Sequence, residues 1–270
     1  MILPFWKMHG AGNDFVLFDD RALTFPAADR AWLASLGARR TGVGCDGLVL
    51  LQRPEHADIA MRFFNPDGSE ADLCGNAARC VARLARDLGA AGERMTIETR
   101  AGRLAAEVLP DGVRVDMPLP RDWRMDRTLA TAGGPAAYCM VNTGVPHVVV
   151  EVADLDACPV AALGAELRYH ADFAPAGTNV DFVSVTGPQS CRIRTYERGV
   201  EGETLACGTG VTAAALILAR RGRLAPPVRV TAAGGDVLTV GFEGREEDVR
   251  RVTLLGPAVY VFRGEVEYAP

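Results

Sequence analysis

Two cysteines stand at the start of predicted helices, each directly before a glycine, in Cys74-Gly75-Asn76 and Cys207-Gly208-Thr209. A helix N-terminus favours negative charge, so it lowers the pKa of a thiol placed there and favours thiolate. The backbone N–H groups that follow have no partner within the helix and form a site for a carboxylate. A carboxylate held by two such termini has a more acidic α-hydrogen, which one thiolate can remove while one thiol returns a proton to the opposite face. The pattern predicts stereoinversion next to a carboxylate without a cofactor; the alternative is that both cysteines are buried apolar residues.

The other five cysteines lack this context, and we interpret Cys80 as core and Cys45, Cys139, Cys158 and Cys191 as structural. The sequence contains no Cys-x-x-Cys and no His/Cys cluster, so we expect no metal site. The segment 42–47 matches G-x-G-x-x-G, but it follows a predicted helix and precedes a predicted strand at 48–51. A dinucleotide fingerprint has the reverse order, so we do not expect nucleotide binding.

Composition excludes several classes of protein. The chain has 270 residues, 49% hydrophobic and 23% charged, which is typical of a globular protein of roughly two domains. Its net charge of −5 argues against a general nucleic-acid partner. Lys7 is the only lysine among 29 basic residues, which excludes a P-loop and leaves almost no candidate for a pyridoxal Schiff base. The stretch 205–219 is too short to span a membrane, and the N-terminus does not resemble a signal peptide, so we expect a cytoplasmic protein with reduced thiols.

Strand-like runs dominate the chain, and a few helical patterns lie between them. The predicted helices cover 27–38, 77–88 and 211–221. The predicted strands cover 59–64, 95–98, 104–109, 113–117, 147–152, 180–185, 191–196, 228–232, 237–242, 249–254 and 258–262. Mostly antiparallel strands with a few central helices indicate an α+β fold.

The chain contains two related halves. The segment 11–16 resembles 176–183, and each is followed by one of the two Cys-Gly helix starts. Each of those helices is predicted to close at a glycine fifteen residues after its cysteine, Gly89 and Gly222. A polar residue precedes each cysteine by nine positions, Asn65 and Arg198. We therefore predict two similar domains, 1–117 and 118–256, with the segment at about 257–270 joining the first.

Five motifs together resemble one known family, the diaminopimelate epimerases: KMHGAGNDFV (7–16), LCGNAARC (73–80), GTNVDF (177–182), YERGV (196–200) and ACGTG (206–210). The resemblance runs from about residue 5 to about residue 220. It implies two pseudo-symmetric α+β domains, each a mostly antiparallel, barrel-like sheet around a central helix. It also implies a pyridoxal-independent interconversion of LL- and meso-2,6-diaminoheptanedioate, a step in bacterial lysine and peptidoglycan precursor biosynthesis.

The same resemblance implies roles for individual residues. Cys74 and Cys207 are the acid/base pair. His147 acts near the cysteines, and Glu197 both binds substrate and influences the cysteine pKa values. The implied substrate-binding residues are Asn13, Asn65, Gly75, Asn76, Asn179, Glu197, Arg198, Gly208 and Thr209. Of these, Gly75, Asn76, Gly208 and Thr209 would hold the reacting carboxylate through backbone N–H groups, and Arg198 suits the distal carboxylate.

Two positions depart from the family. Val145 stands where the family often has asparagine, and Gly47 stands where some members have glutamine, so this sequence lacks two side chains of the family's polar network around the substrate. Three other hypotheses stay open: a proline or hydroxyproline racemase, a dithiol redox protein, and a binding module with inert cysteines. We expect a small diamino-dicarboxylic acid as ligand, no cofactor, no nucleic-acid or membrane partner, and a homodimer formed through an exposed strand edge.

Overall fold

The computed structural model describes residues 1–244 and 248–269. The chain forms two compact units, Met1–Val115 with Gly256–Pro270, and Asp116–Leu255. The predicted second half includes residues 245–247, and the predicted C-terminal segment ends at Pro270; these four residues lie outside the described ones. Within the part of the chain that the structure describes, no helix combines the length and apolarity that a membrane span requires.

The first unit consists of a sheet, an outer helix and a central helix. Its elements are β1 (Ile2–Gly10), β2 (Asn13–Asp19), α1 (Arg30–Gly37), β3 (Gly47–Gln52), β4 (Ile59–Phe64), β5 (Glu70–Ala71), α2 (Gly75–Asp87), β6 (Arg94–Thr99), β7 (Gly102–Leu109), β8 (Gly112–Asp116) and β18 (Val259–Glu267). Strand β18 pairs antiparallel with β1, so the C-terminal segment completes this sheet.

The elements of the second unit are β9 (Arg121–Thr131), β10 (Gly134–Asn142), β11 (Pro146–Glu151), α3 (Val160–Arg168), a 3₁₀ turn (Ala171–Phe173), β12 (Asn179–Gly187), β13 (Ser190–Glu197), β14 (Gly202–Thr204), α4 (Gly208–Arg220), β15 (Val228–Thr231), β16 (Val237–Glu243) and β17 (Arg251–Gly256). From β10 onward the second unit repeats the order of strands and helices of the first, and its first strand, β9, corresponds to β18 at the end of the chain.

The strand pairings of the two units match one to one. In the first unit β2–β3 and β4–β6 are parallel and the other pairs are antiparallel. In the second unit β11–β12 and β13–β15 are parallel and the others antiparallel. Thus β1 corresponds to β10, β2 to β11, β3 to β12 and β4 to β13. The predicted α+β class is confirmed, and each unit is a mixed, mostly antiparallel sheet.

In each unit one central helix packs against most of the strands of the sheet. Helix α2 lies against β1, β2, β3, β4, β6 and β7, and α4 lies against the corresponding β10, β11, β12, β13, β15 and β16. Nine of the thirteen residues of each helix are buried, because strands surround the helix on several sides. Arg79 of α2 is one of these buried residues, with its side chain fully covered.

The two central helices also end in the same way. Gly89 and Gly222 have φ values of 66° and 68°, in the left-handed region that glycine adopts without strain. After α2, the N–H groups of Gly89 and Ala90 donate to the carbonyls of Arg86 and Ala85, and α4 makes the same pair of bonds at its end. This is the Schellman arrangement, and it confirms both predicted glycine C-termini.

Candidate active site

Each central helix begins directly after its cysteine, which takes an extended conformation. Cys74 has φ −132° and ψ 117°, and Cys207 has φ −118° and ψ 110°. The first intrahelical bonds run from Ala78 N–H to the carbonyl of Cys74 and from Val211 N–H to the carbonyl of Cys207, both at 2.9 Å. The N–H groups of the first three residues of each helix therefore have no intrahelical acceptor, which is the arrangement that suits a carboxylate. A Cβ atom built on Gly75 would meet nothing within 4 Å, so open space lies beside this cradle.

In the first unit an amide network surrounds Cys74. The Cys74 thiol donates to Asn13 Oδ1 at 3.8 Å, and Asn76 Nδ2 donates to the same oxygen at 3.2 Å. Asn13 Nδ2 donates in turn to Asp46 Oδ2 at 2.8 Å. The buried guanidinium of Arg79 donates to Asn76 Oδ1 at 2.8 Å, so a cation stands behind the network. These bonds fix the orientation of the Asn13 side chain at the start of β2.

The only lysine of the chain belongs to a cluster of ion pairs that includes Asp46, the acceptor of the Asn13 amide. Lys7 is buried and forms a 2.6 Å ion pair with Asp14, and its ammonium also donates to the carbonyl of Gly44. Arg39 pairs with Asp14 at 2.7 Å and with Asp46 at 2.5 Å. Burial opposes ionisation of Asp14, but the hydrogen bonds from Arg39 and Lys7 outweigh it and lower the pKa of Asp14 to about 2. Lys7 is thus part of a structural ion-pair cluster.

Asn65 lies in the turn that follows β4. Gly68 N–H donates to the carbonyl of Asn65 at 2.9 Å, which closes a four-residue turn over Asn65-Pro66-Asp67-Gly68. The Asn65 side chain is half-buried, and its Nδ2 donates to Ser69 Oγ at 3.0 Å.

In the second unit Cys207 faces a hydroxyl and an imidazole. The sulfur of Cys207 lies 3.3 Å from Thr209 Oγ1, which lies 2.9 Å from His147 Nε2. His147 Nδ1 lies 2.7 Å from Asp181 Oδ2, and Thr195 donates its hydroxyl hydrogen to Asp181 Oδ1 at 2.7 Å. His147 and Asp181 are both fully buried.

The remaining predicted residues of this unit cluster beside that chain. Asn179 is buried; its Oδ1 accepts from Arg198 N–H at 2.8 Å and its Nδ2 donates to the carbonyl of Pro146 at 3.2 Å. Glu197, at the end of β13, accepts from the Thr204 hydroxyl at 2.8 Å. Arg198 is half-buried and donates from Nη1 to the carbonyl of Ala176 at 3.1 Å.

The thiol of Cys207 does not have the lowered pKa that its helix position alone predicts. Burial raises the pKa of Cys207 well above its ordinary value, and the negative charges of Glu197 and Asp181 raise it further. Hydrogen bonds that Thr209 and the Gly210 N–H donate to the sulfur once it is ionised lower this pKa, but their effect is weaker. The expectation of a lowered pKa is therefore wrong for Cys207.

The five cysteines interpreted as structural are all buried. Burial raises the pKa of Cys45 to about 11 and that of Cys80 and Cys191 to about 12, and it also raises the pKa of Cys139 and Cys158. Over the described residues, no group of three histidine, cysteine or carboxylate side chains has the arrangement of a metal site.

The structure explains one of the two departures from the family. A Cβ atom at Gly47 would lie 2.4 Å from Cε2 of Phe63, so the phenyl ring occupies the space that a glutamine needs. Phe63 in turn packs edge-on against Phe15 at a centroid distance of 6.1 Å. Val145 is half-buried in the turn before β11. The side chain of the nearby Asn142 accepts from Gly144 N–H and donates to Asp122, so it stabilises the turn.

Strand register corrects the alignment of the two halves. Asn13 begins β2, whose counterpart is β11, whereas Asn179 begins β12, whose counterpart is β3. The first parallel pairs are Phe15 with Gly47 and His147 with Asn179, so Asn179 corresponds to Gly47 and not to Asn13.

The counterpart of Asn65 also changes. Antiparallel pairs Leu48–Phe64 and Val180–Tyr196 match the ends of β4 and β13, so Asn65 corresponds to Glu197 instead of Arg198. The turn that follows in the second unit is one residue longer than in the first, which a comparison by distance from the cysteine cannot detect.

Sequence reasoning missed the residues that hold the predicted ones in place. Asp46 and Arg79 orient the amides in the first unit, and Asp181 and Thr195 hold His147 in the second. One signal was available: Asp181 interrupts an apolar strand run, and a buried carboxylate requires partners.

Solved structures with the same arrangement define the class of fold. A phenazine biosynthesis protein of the PhzF family from Bacillus anthracis superposes with a TM-score of 0.74 at 18% identity, covering 99% of this chain and 100% of that one. A hydroxyproline epimerase from Agrobacterium vitis superposes with a TM-score of 0.69 at 20% identity, covering 98% and 92%. At these identities the likeness establishes the fold alone.

Sequence similarity identifies the family within that class. The family model described as diaminopimelate epimerase matches residues 5–121 and 139–261. A diaminopimelate epimerase from Aquifex aeolicus is 41% identical over 275 residues, covering 98% of each chain. The chain belongs to the diaminopimelate epimerase family, and the resemblance drawn from its motifs is confirmed.

Proposed function

We propose that this chain is an epimerase that interconverts LL- and meso-2,6-diaminoheptanedioate, with Cys74 and Cys207 as its acid/base pair. One observation carries the proposal. In this chain, which belongs to the family, two equivalent helices each begin directly after a cysteine, and each presents three N–H groups without intrahelical acceptors. Family membership supports the activity, and the helix starts supply the chemistry.

In the proposed reaction the helix N-termini hold the carboxylate next to the reacting carbon, through the backbone N–H groups of Gly75, Asn76, Gly208 and Thr209. Their partial positive charge stabilises the negative charge that develops on the carboxylate when the α-hydrogen leaves. One sulfur removes the proton as thiolate, and the other, as thiol, delivers a proton to the opposite face. No cofactor takes part, since only protons are exchanged with the carbon.

Recognition of a substrate with two amino and two carboxylate groups falls to the surrounding polar side chains. We assign Asn13, Asn65 and Asn179 as amide contacts, Glu197 as the partner of an ammonium group, and Arg198 as the clamp for the distal carboxylate. An arginine can bind a carboxylate through two parallel hydrogen bonds, and this geometry favours a dicarboxylate over a substrate with one carboxylate.

The decisive experiment is incubation with LL-diaminopimelate in deuterium oxide, followed by mass and chiral analysis. We expect meso product that carries one deuterium at the inverted carbon, because the delivered proton comes from a solvent-exchanged thiol. Proline and 4-hydroxyproline serve as matched substrates in parallel incubations. Deuterium entering either of these but not diaminopimelate would replace the proposal with a proline racemase activity, and no exchange in any substrate would favour a non-catalytic protein.

We further propose a cytoplasmic homodimer. The described cysteines are thiols, which a reducing compartment preserves. Strand β18 exposes Val261 and Phe262, which are 56% and 48% accessible, and such an apolar edge suits a partner of the same kind. Light scattering on the purified protein tests the assembly, and replacing both side chains with threonine should weaken it.

A further inference from the structure

A continuous chain of buried side chains leads away from the sulfur of Cys207. It passes through the hydroxyl of Thr209 at 3.3 Å and the Nε2 atom of His147 at 2.9 Å, and from Nδ1 of the same ring to Asp181 at 2.7 Å. Thr195 closes the chain, since its hydroxyl donates to the other oxygen of Asp181 at 2.7 Å.

The acceptors fix the direction of every hydrogen bond in this chain. An ionised carboxylate can only accept, so Nδ1 of His147 carries a hydrogen and donates it to Asp181. The Nε2 atom is then left with a lone pair and accepts from Thr209. Because the hydroxyl hydrogen of Thr209 is directed at the imidazole, its oxygen is free to accept from the thiol of Cys207. The order is therefore Cys207 S–H to Thr209 O–H to His147, with Asp181 behind the ring.

The surrounding backbone is shaped to this chain. A Cβ atom at Gly210 would lie 2.4 Å from Asp181 Oδ1 and 3.2 Å from Cε1 of His147, so a glycine in the first turn of α4 lets the helix approach both side chains. The position of β2 that corresponds to His147 is taken by Phe15, the first residue of the equivalent parallel ladder. The relay thus belongs to the Cys207 half and is not a product of the repeated fold.

We propose that Asp181, held by Thr195, is a positioning residue that fixes His147 so that the proton of Cys207 passes through Thr209 onto Nε2. The inference rests on the proposed function and deepens it, because it explains how the buried thiol of Cys207 becomes the base for one of the two stereoisomers of the substrate. In the step, the S–H bond of Cys207 breaks as its proton joins Thr209 Oγ1, and the hydroxyl proton of Thr209 moves to Nε2. The products are a thiolate and an imidazolium, and Asp181 stays ionised beside the imidazolium.

The test measures the thiolate of Cys207 without using the epimerase reaction. Wild-type protein and variants are treated with iodoacetamide at a single mildly alkaline pH, and peptide mapping follows the alkylation of Cys207 and Cys74 separately. Thr209→Val removes the hydroxyl but keeps the side-chain shape and the backbone N–H, and Thr209→Ser restores a hydroxyl. Thr212→Val is the matched control, since it is a buried threonine on the same helix whose hydroxyl donates to the carbonyl of Gly208.

Alkylation of Cys207 should slow about tenfold or more in Thr209→Val, because the thiolate loses its hydrogen-bond partner. Thr209→Ser should recover most of that loss, and Thr212→Val should resemble wild type. Asp181→Asn removes a negative charge that opposes the thiolate, but it also removes the acceptor of His147 Nδ1, so the relay requires slower alkylation of Cys207 in this variant. Thr195→Val keeps the charge of Asp181 and should also slow alkylation of Cys207, so it provides the test if the asparagine variant does not fold. The rate at Cys74 should stay within about twofold throughout, as an internal reference.

Equal rates of Cys207 alkylation in wild type and Thr209→Val would overturn the proposed relay. Equal losses in Thr209→Val and Thr209→Ser would also overturn it, because both could then arise from changed packing. Failure of the proposed function gives a different result: the relay pattern persists in the alkylation rates, while diaminopimelate acquires no deuterium.

Discussion

Replacing Lys7 with methionine should destabilise the first unit, because this buried ammonium is paired with Asp14 at 2.6 Å and bonded to the carbonyl of Gly44. The side chains of Lys7 and Asp14 are only 7% and 18% exposed. Removing one partner of such a buried ion pair leaves the other charge without its counter-ion, which lowers the free energy of unfolding by about 3–5 kcal/mol when no other counter-ion is present. Arg39 still contacts Asp14 in the variant, so we expect a loss of about 3 kcal/mol in the free energy of unfolding.

The coupling between the two side chains follows from the pKa of Asp14. A shift from 3.8 to about 2 corresponds to about 2 kcal/mol at 1.36 kcal/mol per pKa unit, shared between Lys7 and Arg39. Because the folded pKa is lowered, this stabilisation is fully present above the ordinary pKa and is lost as the pH falls toward about 2. The difference in stability between wild type and Lys7→Met should therefore be largest near neutral pH and should narrow in acid.

Urea unfolding of wild type, Lys7→Met, Asp14→Asn and the double variant gives the coupling energy directly. We expect a coupling energy of about 1–2 kcal/mol, because Arg39 supplies part of the stabilisation of Asp14. The matched control is the Arg21–Asp19 pair, at a similar 2.7 Å but with side chains 36% and 27% exposed, where coupling should be below about 1 kcal/mol. If the Lys7 cycle gave no more than the control, the ammonium would not be held by Asp14, and a chemical role for the only lysine would have to be reconsidered.

Three further outcomes follow from the site. Cys74→Ala and Cys207→Ala should each abolish epimerisation with the circular dichroism spectrum unchanged, and a variant with near wild-type turnover would contradict the two-base mechanism. Arg198→Met should lower kcat/KM for LL-diaminopimelate about 10²–10³-fold, since an unpaired carboxylate costs roughly 2–5 kcal/mol; unchanged kinetics would remove Arg198 from the site. Gly47→Gln should cost about 1–3 kcal/mol of stability through its clash with Phe63, and in urea unfolding its effect should be less than additive with Phe63→Ala.

The parts of the fold that were predictable depend on local signals. The Cys-Gly starts and the closing glycines Gly89 and Gly222 locate both central helices, since capping is decided within a few residues. Strand β4 was predicted at its observed bounds, because its six residues end at a turn marked by proline and glycine.

Other elements lack such signals. Helix α3 was not predicted: it has nine residues with a glycine in its middle, and Gly164 packs where a Cβ would lie 2.5 Å from Tyr196. The hairpin of β9 and β10 was also missed, because β9 is largely exposed and its side chains show no regular apolar alternation. These elements depend on tertiary packing, which a single sequence does not display.

The site divides in the same way. Its two cysteines were predictable because the signal for each helix start lies within a few residues of the cysteine. The partners of His147 were not predictable, because Asp181 lies 34 residues away in sequence and contacts His147 only through the parallel pairing of their strands. The same reason explains the incorrect pairing of Asn13 with Asn179. Similar short motifs suggested an equivalence, and only strand register shows that the two asparagines begin non-equivalent strands.

The two halves share the same strand pairings, but their cysteines have different polar neighbours. Around Cys74 stand the amides of Asn13 and Asn76, with the buried cation of Arg79 behind them. Around Cys207 stand the carboxylates of Glu197 and Asp181, which help to raise the pKa of that thiol. A two-base epimerase needs one thiol and one thiolate, and identical halves would leave the proton without a preferred sulfur. The proposed relay supplies such a difference, since the position that corresponds to His147 holds Phe15 in the Cys74 half.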